Sequence, residues 1–188
     1  MTGACLHPGG LQMTERLLQM ASLPIGARIL ELGCGSGQTA FYLKQHGYDV
    51  TAIDREVTEE NSDIQKGDML HLDIPPASFD AVLAECSLSA SGNVPLALAN
   101  AYQVLKPGGH LFASDVFFQE TDGVQGALWL QMVQQAGFED VISKDASQEA
   151  QAFFLRMIWE QGCLPEHWER IARGRKKVGY ILLHGRKR

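Results

Sequence analysis

The feature that most constrains this chain is a glycine-dense turn between an apolar segment and a helix-like one. Gly33, Gly35 and Gly37 fall within five positions of the stretch ILELGCGSGQTAFYL, residues 29–43. The residues before the turn form a short apolar run typical of a buried strand, and those after it have a helical pattern. Because glycine lacks a Cβ atom, the turn can be tight and a ligand can lie against its backbone. The stretch therefore predicts a nucleotide-like ligand between a strand and a helix.

Strand-like and helix-like segments alternate along the rest of the chain. The predicted strands are ARILELG, YDVTAID, DIQKGD, FDAVLAE, HLFASDVF, FEDVISK and KKVGYILLHG. The predicted helices are GLQMTERLLQMA, QTAFYLKQHG, NVPLALANAYQVL (closed by the breaker KPGG), VQGALWLQMVQQAG and SQEAQAFFLRMIWEQG. This alternation predicts an α/β fold with a mainly parallel sheet covered on both faces. Ligands of such sheets bind at the carboxyl ends of the strands, where strand order reverses.

Composition places the chain among globular proteins of one domain. Its 188 residues are 45% apolar and 20% charged, which fits a soluble fold with one core. No apolar run reaches the roughly 18 residues that a membrane helix needs, and the first ten residues do not resemble a secretory signal. We therefore expect a cytoplasmic protein without a membrane span. The four cysteines lack zinc spacing, so we expect free thiols and no metal site.

Glycine spacing alone leaves the ligand open, because GSGQTA also fits the dinucleotide pattern GxGxxA. Three further stretches narrow the choice. LELGCGSG resembles motif I of the class I S-adenosylmethionine-dependent methyltransferases, and KGDM resembles the adenine motif of that family. VLKPGGHLFASD, residues 104–115, resembles the turn into strand five of the ubiquinone/menaquinone-type and arsenite-type members, the type-11 group. The resemblance covers residues 27–116.

This resemblance implies a Rossmann-like three-layer sandwich whose mainly parallel seven-stranded sheet has an antiparallel last strand. It also implies a transferase that uses S-adenosylmethionine and releases S-adenosylhomocysteine. We expect one domain over residues 1–188, with an N-terminal lid helix (1–24), a cofactor-binding core (25–145), and a C-terminal helix and last strand (146–188).

The resemblance assigns roles residue by residue. Asp54, 19 residues after Gly35, would accept from both ribose hydroxyls. Asp68 would accept from the adenine amine, and Met69 would contact the ring or donate its backbone N–H. The implied cofactor-binding residues are Gly10, Glu31, Gly33, Cys34, Gly35, Gly37, Asp54, Arg55, Gly67, Asp68, Met69, Glu85 and Cys86.

Catalytic residues are harder to predict, since methyl transfer is an in-line displacement that depends mainly on alignment and exclusion of water. The sequence offers three candidates. Cys86 lies near the position of a metalloid-binding cysteine in arsenite methyltransferases. The alternative interpretation is that Cys86 is a small buried residue with no role in the reaction. Glu85 would take a proton from the acceptor or face the methionyl ammonium. His7 would act as a base, or lie at the surface beside Pro8.

The methyl acceptor is expected to be a small molecule, because only about nine residues, FFQETDGVQ, separate the fifth strand from the next helix. A partner or a second subunit, as in a homodimer, could otherwise complete the pocket. Residues 170–188 carry eight basic and no acidic residues, so RNA or protein methylation is an alternative. The segment AECSLSASGN lacks the double-proline motif of nucleic-acid amino-methyltransferases, which argues against it. A non-catalytic module that only binds the cofactor is a further alternative.

Overall fold

The computed structural model describes residues 7–57, 63–118, 125–162 and 178–188. Its strands are β1 (Arg28–Leu32), β2 (Asp49–Asp54), β3 (Ile64–Lys66), β4 (Phe79–Glu85), β5 (Leu105–Phe118), β6 (Glu139–Asp145) and β7 (Val178–Arg186). Its helices are α1 (Gly10–Leu18), α2 (Gln38–Gln45), α3 (Val94–Val104), α4 (Gln125–Gln135) and α5 (Ser147–Gln161), with a short 3₁₀ helix at Ser89–Ser91. Cys5, Cys163 and residues 170–177, which the sequence analysis considered, lie outside the described residues.

All seven strands form one sheet in the order β3-β2-β1-β4-β5-β7-β6. Strands β1 to β5 pair in parallel, and β7 is antiparallel to both β5 and β6. The chain builds outward from β1 to β3 and then crosses back to place β4 on the other side of β1. Strand order therefore reverses between β1 and β4, where open α/β sheets bind their ligands. The predicted Rossmann-like fold with an antiparallel last strand is confirmed.

Alternation of side chains along the strands gives the sheet two buried faces. Leu30 and Val82 belong to a core cluster that includes α3 and α4 residues. Ile29 and Leu83, their neighbours in the chain, belong to a second cluster with residues of α1, α2 and α5. Because successive strand residues point to opposite faces, an almost continuous apolar run fills both cores. The molecule is the expected three-layer sandwich.

Helix α3 begins and ends where its sequence directs. The Asn93 side chain accepts a hydrogen bond from the Leu96 N–H at 3.2 Å, and Pro95 lies in the first turn. An asparagine at this position satisfies a backbone donor that the helix leaves unpaired, and an early proline costs no hydrogen bond.

The predicted start of the fifth strand is wrong by five residues. The sequence analysis placed KPGG outside the strand, whereas β5 already begins at Leu105. Gly108 donates to the Lys187 carbonyl at 2.9 Å, and Lys187 donates to the Gly109 carbonyl at 2.8 Å. The pairing of β4 with β5 shifts register here, so the glycines form an irregular strand segment. A breaker that ends a helix can still extend a sheet when another strand supplies the hydrogen bonds.

Candidate functional site

The glycine loop, residues 33–37, joins β1 to α2 at the point of strand reversal. Gly33, Gly35 and Gly37 have φ values of 71°, 55° and 78°, a left-handed conformation that favours glycine. A Cβ at Gly33 would lie 2.5 Å from the Ser87 Cβ, whereas a Cβ at Gly35 would meet no atom within 4 Å. Gly33 is therefore required by close packing against the loop after β4. Gly35 leaves open space beside the backbone, as a bound ligand requires.

Asp54 joins the end of β2 to the glycine loop. Its Oδ2 accepts from the Gly35 N–H at 2.8 Å, and its Oδ1 accepts from the Glu56 N–H at 2.9 Å. A carboxylate has about four lone-pair sites, so both oxygens can accept further hydrogen bonds. This geometry fits a ribose diol beside the loop.

The end of β3 provides the neighbouring wall. The Gly67 N–H donates to the Asp54 carbonyl at 2.9 Å, and Asp68 accepts from the Leu70 N–H at 2.9 Å. The Met69 side chain is buried in the first core cluster, with its methyl carbon 3.4 Å from the Cβ position of Gly33. Of the two roles expected for Met69, the burial favours the backbone one.

Arg55 reaches across this side of the site. Its Nη2 donates to the Ala90 carbonyl at 3.2 Å, and Ala90 belongs to the 3₁₀ helix that follows β4. The residue after β2 is thereby connected to the loop after β4, although β1 lies between the two strands in the sheet.

Glu85, the last residue of β4, is a buried junction of three segments. Its carboxylate accepts from Thr14 of α1 at 3.0 Å and from Thr39 of α2 at 3.3 Å. His7 Nε2 lies 3.4 Å from the same carboxylate. Burial raises the pKa of Glu85, while His7 and the two hydroxyls act in the opposite direction. The junction brings two of the three predicted catalytic candidates, His7 and Glu85, to one place.

Cys86, the third candidate, is held by groups from β5 and β7. Its N–H donates to the Ser114 carbonyl at 2.7 Å, and its Sγ lies 3.1 Å from the Tyr180 hydroxyl. Tyr180 in turn donates to Ser114 Oγ at 2.8 Å. Burial of the Tyr180 side chain raises the pKa of its hydroxyl well above the usual range. Cys86 has φ of 55°, which is unfavourable for a residue with a Cβ atom. Contacts with Ser114 and Tyr180, which are themselves hydrogen-bonded to each other, therefore fix a strained residue after the end of β4.

The remaining predicted residues lie around these positions. Burial, then the charges of Glu31 and Asp54, raise the pKa of Cys34 to about 12, so its thiol stays neutral. Glu31 is buried near the end of β1. Gly10 begins α1 and donates to the His7 carbonyl at 3.2 Å, next to the Glu85 junction.

The sequence analysis missed the polar residues that hold these positions. Ser87 Oγ donates to the Leu32 carbonyl at 2.6 Å and ties the two strand ends together. Asp115 accepts from the N–H and hydroxyl of Ser89 at 2.9 and 2.6 Å. Burial raises the pKa of Asp115 to about 6. An acidic residue inside the apolar stretch HLFASDVF was the available signal for Asp115. Thr14, Thr39 and Tyr180 gave none, because their partners are distant in sequence.

The described helices include none that is long and apolar enough to cross a membrane. Among these same residues, no group of three or more His, Cys, Asp or Glu side chains could hold a metal ion.

A doubly wound sheet with a glycine loop at its point of strand reversal, and an acidic residue at the end of the next strand, defines a Rossmann-like nucleotide-binding protein. The model of the methyltransferase domain family matches residues 30–113, which include the glycine loop, Asp54 and Asp68. Residues 30–113 thus form a class I S-adenosylmethionine-dependent methyltransferase domain of the type-11 group, as the motifs predicted.

Two relatives and one solved structure illustrate the similarity. The S-adenosyl-L-methionine-dependent Diels-Alderase iccD of Talaromyces variabilis is 36% identical over 121 residues, 56% of this chain and 41% of that protein. The uncharacterized methyltransferase YodH of Bacillus subtilis is 36% identical over 117 residues, 56% of this chain and 50% of that protein. The crystal structure of the cyclase SpnF superposes with a TM-score of 0.77 at 22% identity, covering 94% of this chain and 80% of SpnF. This chain thus spans half or less of these two curated relatives, and the likeness to SpnF concerns the fold.

The predicted cofactor, S-adenosylmethionine, is confirmed at the level of the family. The geometry fits it independently. Open space beside Gly35, with the Asp54 carboxylate bound to the Gly35 N–H, suits a nucleoside whose ribose contacts the carboxylate. The dinucleotide alternative, which depended on GxGxxA alone, loses its support.

Proposed function

We propose that this chain transfers a methyl group from S-adenosylmethionine to a small-molecule acceptor by in-line displacement. The observation that carries the proposal is the pairing of Gly35 with Asp54 at the point of strand reversal. The end of β4, with Glu85 and Cys86, lies next to that point. The donor, when bound, supplies a methyl carbon that its sulfonium already activates.

The residues divide the cofactor between them. Asp54 binds the ribose hydroxyls, and Asp68 with the Met69 backbone binds the adenine. The glycine loop holds the amino-acid end near Glu31. The expected result is a donor fixed at both ends, with its reactive part toward β4. Because alignment lowers the entropic part of the barrier, this positioning is the main catalytic contribution of the protein.

Glu85 is assigned to positioning rather than to proton transfer. Two threonine hydroxyls already donate to its carboxylate, and both belong to helices that border the site. These contacts from two helices hold the Glu85 carboxylate in one place, which supports a positioning role. His7 and Cys86 stay candidates for contact with the acceptor, since His7 adjoins Glu85 and Cys86 follows β4 directly.

The acceptor is proposed to be small and at least partly apolar. Cys86 packs against the second core cluster, which includes Val116, Phe153 and Met157. The aromatic and sulfur-containing side chains of α5 are mainly core: Phe153 and Met157 are buried, whereas Trp159 is 89% exposed. Cys86 is half-buried at the border of that core, so an acceptor beside it would contact an apolar surface.

The first test concerns the cofactor site. We expect Asp54→Ala and Gly35→Val each to weaken S-adenosylmethionine binding at least about 100-fold, since one removes a charged hydrogen-bond acceptor and the other fills the open space. Isothermal titration calorimetry measures this. Asp63→Ala is the control, because Asp63 is largely exposed and its contact with Lys44 is long, at 3.9 Å. Near-normal affinity in either site variant would mean that the site lies elsewhere.

The second test concerns the reaction. Release of S-adenosylhomocysteine is measured with thiols, arsenite, phenols, small amines and tRNA as acceptors. Turnover with a small acceptor, unaffected by ribonuclease, supports the proposal. Turnover with tRNA alone would instead support the RNA alternative.

A second candidate function, cofactor binding without methyl transfer, is favoured by the names of two similar proteins. The relative iccD is called a Diels-Alderase and SpnF a cyclase, so a donor-binding fold of this shape is associated with other chemistry. Tight donor binding without turnover on any acceptor of the screen would favour this candidate.

A further inference from the structure

Carboxylates lie at or near the level where four adjacent strands turn into their following segments, toward the carboxyl ends of the parallel strands. In sheet order these are Asp54 of β2, Glu31 of β1, Glu85 of β4 and Asp115 in β5. Glu31 and Glu85 each lie two residues after Ile29 and Leu83, which face the second core, so both carboxylates lie on that same face of the sheet. Their residues are 4% and 9% exposed. Two buried carboxylates thus flank the point of strand reversal on one face.

Glu85, at the end of β4, is connected to the helix that follows the glycine loop. Thr39, its hydrogen-bond donor at 3.3 Å, lies two residues after Gly37. Thr14 donates to both of its oxygens, at 3.0 and 3.1 Å. Hydroxyl donors stabilise a carboxylate in its ionised form. Burial, the larger effect, raises the pKa of Glu85, so a positive charge brought close to this carboxylate stabilises its ionised form.

The positive charge that the protein places near Glu85 depends on the protonation of a histidine. Within residues 7–57, 63–118, 125–162 and 178–188, the basic side chain within ion-pair distance of Glu85 is His7, at 3.4 Å. An imidazole compensates a carboxylate only while it is protonated. The lysines and arginines of the described ion pairs bind other carboxylates. A cationic ligand at the strand ends would consequently interact with a poorly compensated negative charge.

We infer that Glu85 makes the site discriminate by charge, so that it binds the cationic donor more tightly than the neutral product. This inference rests on the proposed function. In methyl transfer the C–S bond breaks, its electron pair stays on sulfur, and the methyl carbon bonds to the acceptor atom. The sulfonium becomes an uncharged thioether, and its attraction to Glu85 is lost. A buried charge acts over several ångströms because screening is weak there, so Glu85 promotes product release without touching the reacting atoms.

The experiment measures dissociation constants by calorimetry for S-adenosylmethionine, S-adenosylhomocysteine and sinefungin, which carries an amine in place of the sulfonium. The wild-type protein is expected to bind both cationic ligands more tightly than S-adenosylhomocysteine. In Glu85→Gln this preference should fall at least about tenfold, because two unit charges several ångströms apart in a weakly screened site interact by more than about 1.4 kcal/mol. Glu160→Gln is the matched control, since Glu160 is exposed on α5 and contacts Arg156 at 3.9 Å.

Glu85→Asp separates charge from shape. It keeps the charge and shortens the side chain, so it should retain most of the preference that Glu85→Gln loses. If Glu85→Gln does not fold, the wild-type comparison of sinefungin with S-adenosylhomocysteine still decides the matter, and equal affinities would overturn the inference.

The two proposals fail in different ways. A wild-type protein that binds none of the three ligands would refute the proposed function and, with it, this inference. A protein that binds the donor and transfers its methyl group, but whose preference is the same in Glu85→Gln as in the wild type, would refute only the role of Glu85.

Discussion

At the scale of single residues, Gly33 and Gly35 of the loop are required for different physical reasons. Gly33 faces the Ser87 side chain so closely that any Cβ would overlap it, while Gly35 faces open space. Both have a left-handed backbone, which costs a residue with a Cβ about 1–2 kcal/mol. The same residue type therefore serves packing at one position and ligand access two positions later.

This difference gives a prediction for a matched pair of variants. Gly33→Ala should lower the free energy of unfolding by about 3 kcal/mol, because strain and overpacking add. Gly35→Ala should lower it by about 1 kcal/mol, from backbone strain alone. Chemical denaturation measures both values. Equal losses would show that the contact with Ser87 does not determine the requirement for Gly33.

At the scale of elements, the end of β7 caps helix α3. Lys187 Nζ donates to the Tyr102 and Leu105 carbonyls at 2.7 and 2.8 Å and lies 4.7 Å from the Tyr102 ring centroid. A cation at a helix C-terminus satisfies free carbonyls and interacts favourably with the helix dipole. Part of the basic C-terminal segment thus has a structural role. Deleting residues 185–188 would also remove strand pairs of Gly185 and Arg186, so that deletion is a poor test of RNA binding.

We expect Lys187→Met to lower the free energy of unfolding by about 1–2 kcal/mol, since it leaves helix carbonyls without their donor. Arg188→Met is the control: Arg188 contacts Glu139 at 2.8 Å, but its side chain is 82% exposed, and exposed ion pairs contribute little. Thermal or chemical unfolding of both variants decides it. Equal effects would contradict a specific cap on α3.

At the scale of the whole molecule, a histidine pair connects β5 and β7 and makes stability depend on pH. His110 Nδ1 and His184 Nε2 lie 2.9 Å apart, which requires one of the two nitrogens to act as acceptor. Burial, then the charge of His110, lower the pKa of His184 to about 4. Burial also lowers the pKa of His110. The folded protein therefore binds protons at this pair less readily than the unfolded chain does.

The sign follows from linkage. Between the usual pKa of 6.5 and about 4, the unfolded chain binds a proton that folded His184 does not, so stability falls as pH decreases through this window. Between pH 7 and pH 5, we expect the free energy of unfolding of His184→Phe to fall by about 1 kcal/mol less than that of the wild type. This value is reduced to allow for solvent screening of the charge. Denaturation at several pH values measures this difference.

The titration of Asp115 does not affect the comparison of the two proteins. Its pKa is raised to about 6, so it contributes in the opposite sense: stability increases as pH falls from about 6 toward the usual 3.8. This contribution is present in wild type and variant alike and cancels in their difference. If the free energies of unfolding of the two proteins change equally with pH, His184 is not the group responsible for the pH dependence.

Much of the fold could be predicted because its signals are local. Apolar runs of strand length, helical periodicity, and glycines at the loop after β1 each depend on neighbouring residues only, and the bounds of β1, β2 and β4 agree closely with the segments predicted. The cofactor residues were predictable for the same reason, since Gly33 to Gly37 and Asp54 stand at fixed places at the ends of the first two strands. The role of each cofactor residue, and the catalytic assignment, stay predictions that the tests above address.

What the sequence by itself determined, then, is the order of strands and helices and the position of the glycine loop, because backbone conformation follows local side-chain pattern. The tertiary structure alone decided how the end of β4 is used. Glu85 receives hydrogen bonds from Thr14 and Thr39, 71 and 46 residues away in sequence, and Cys86 contacts Tyr180 across 94 residues. Such contacts depend on which strands become neighbours, and burial then converts them into shifted pKa values and fixed charges.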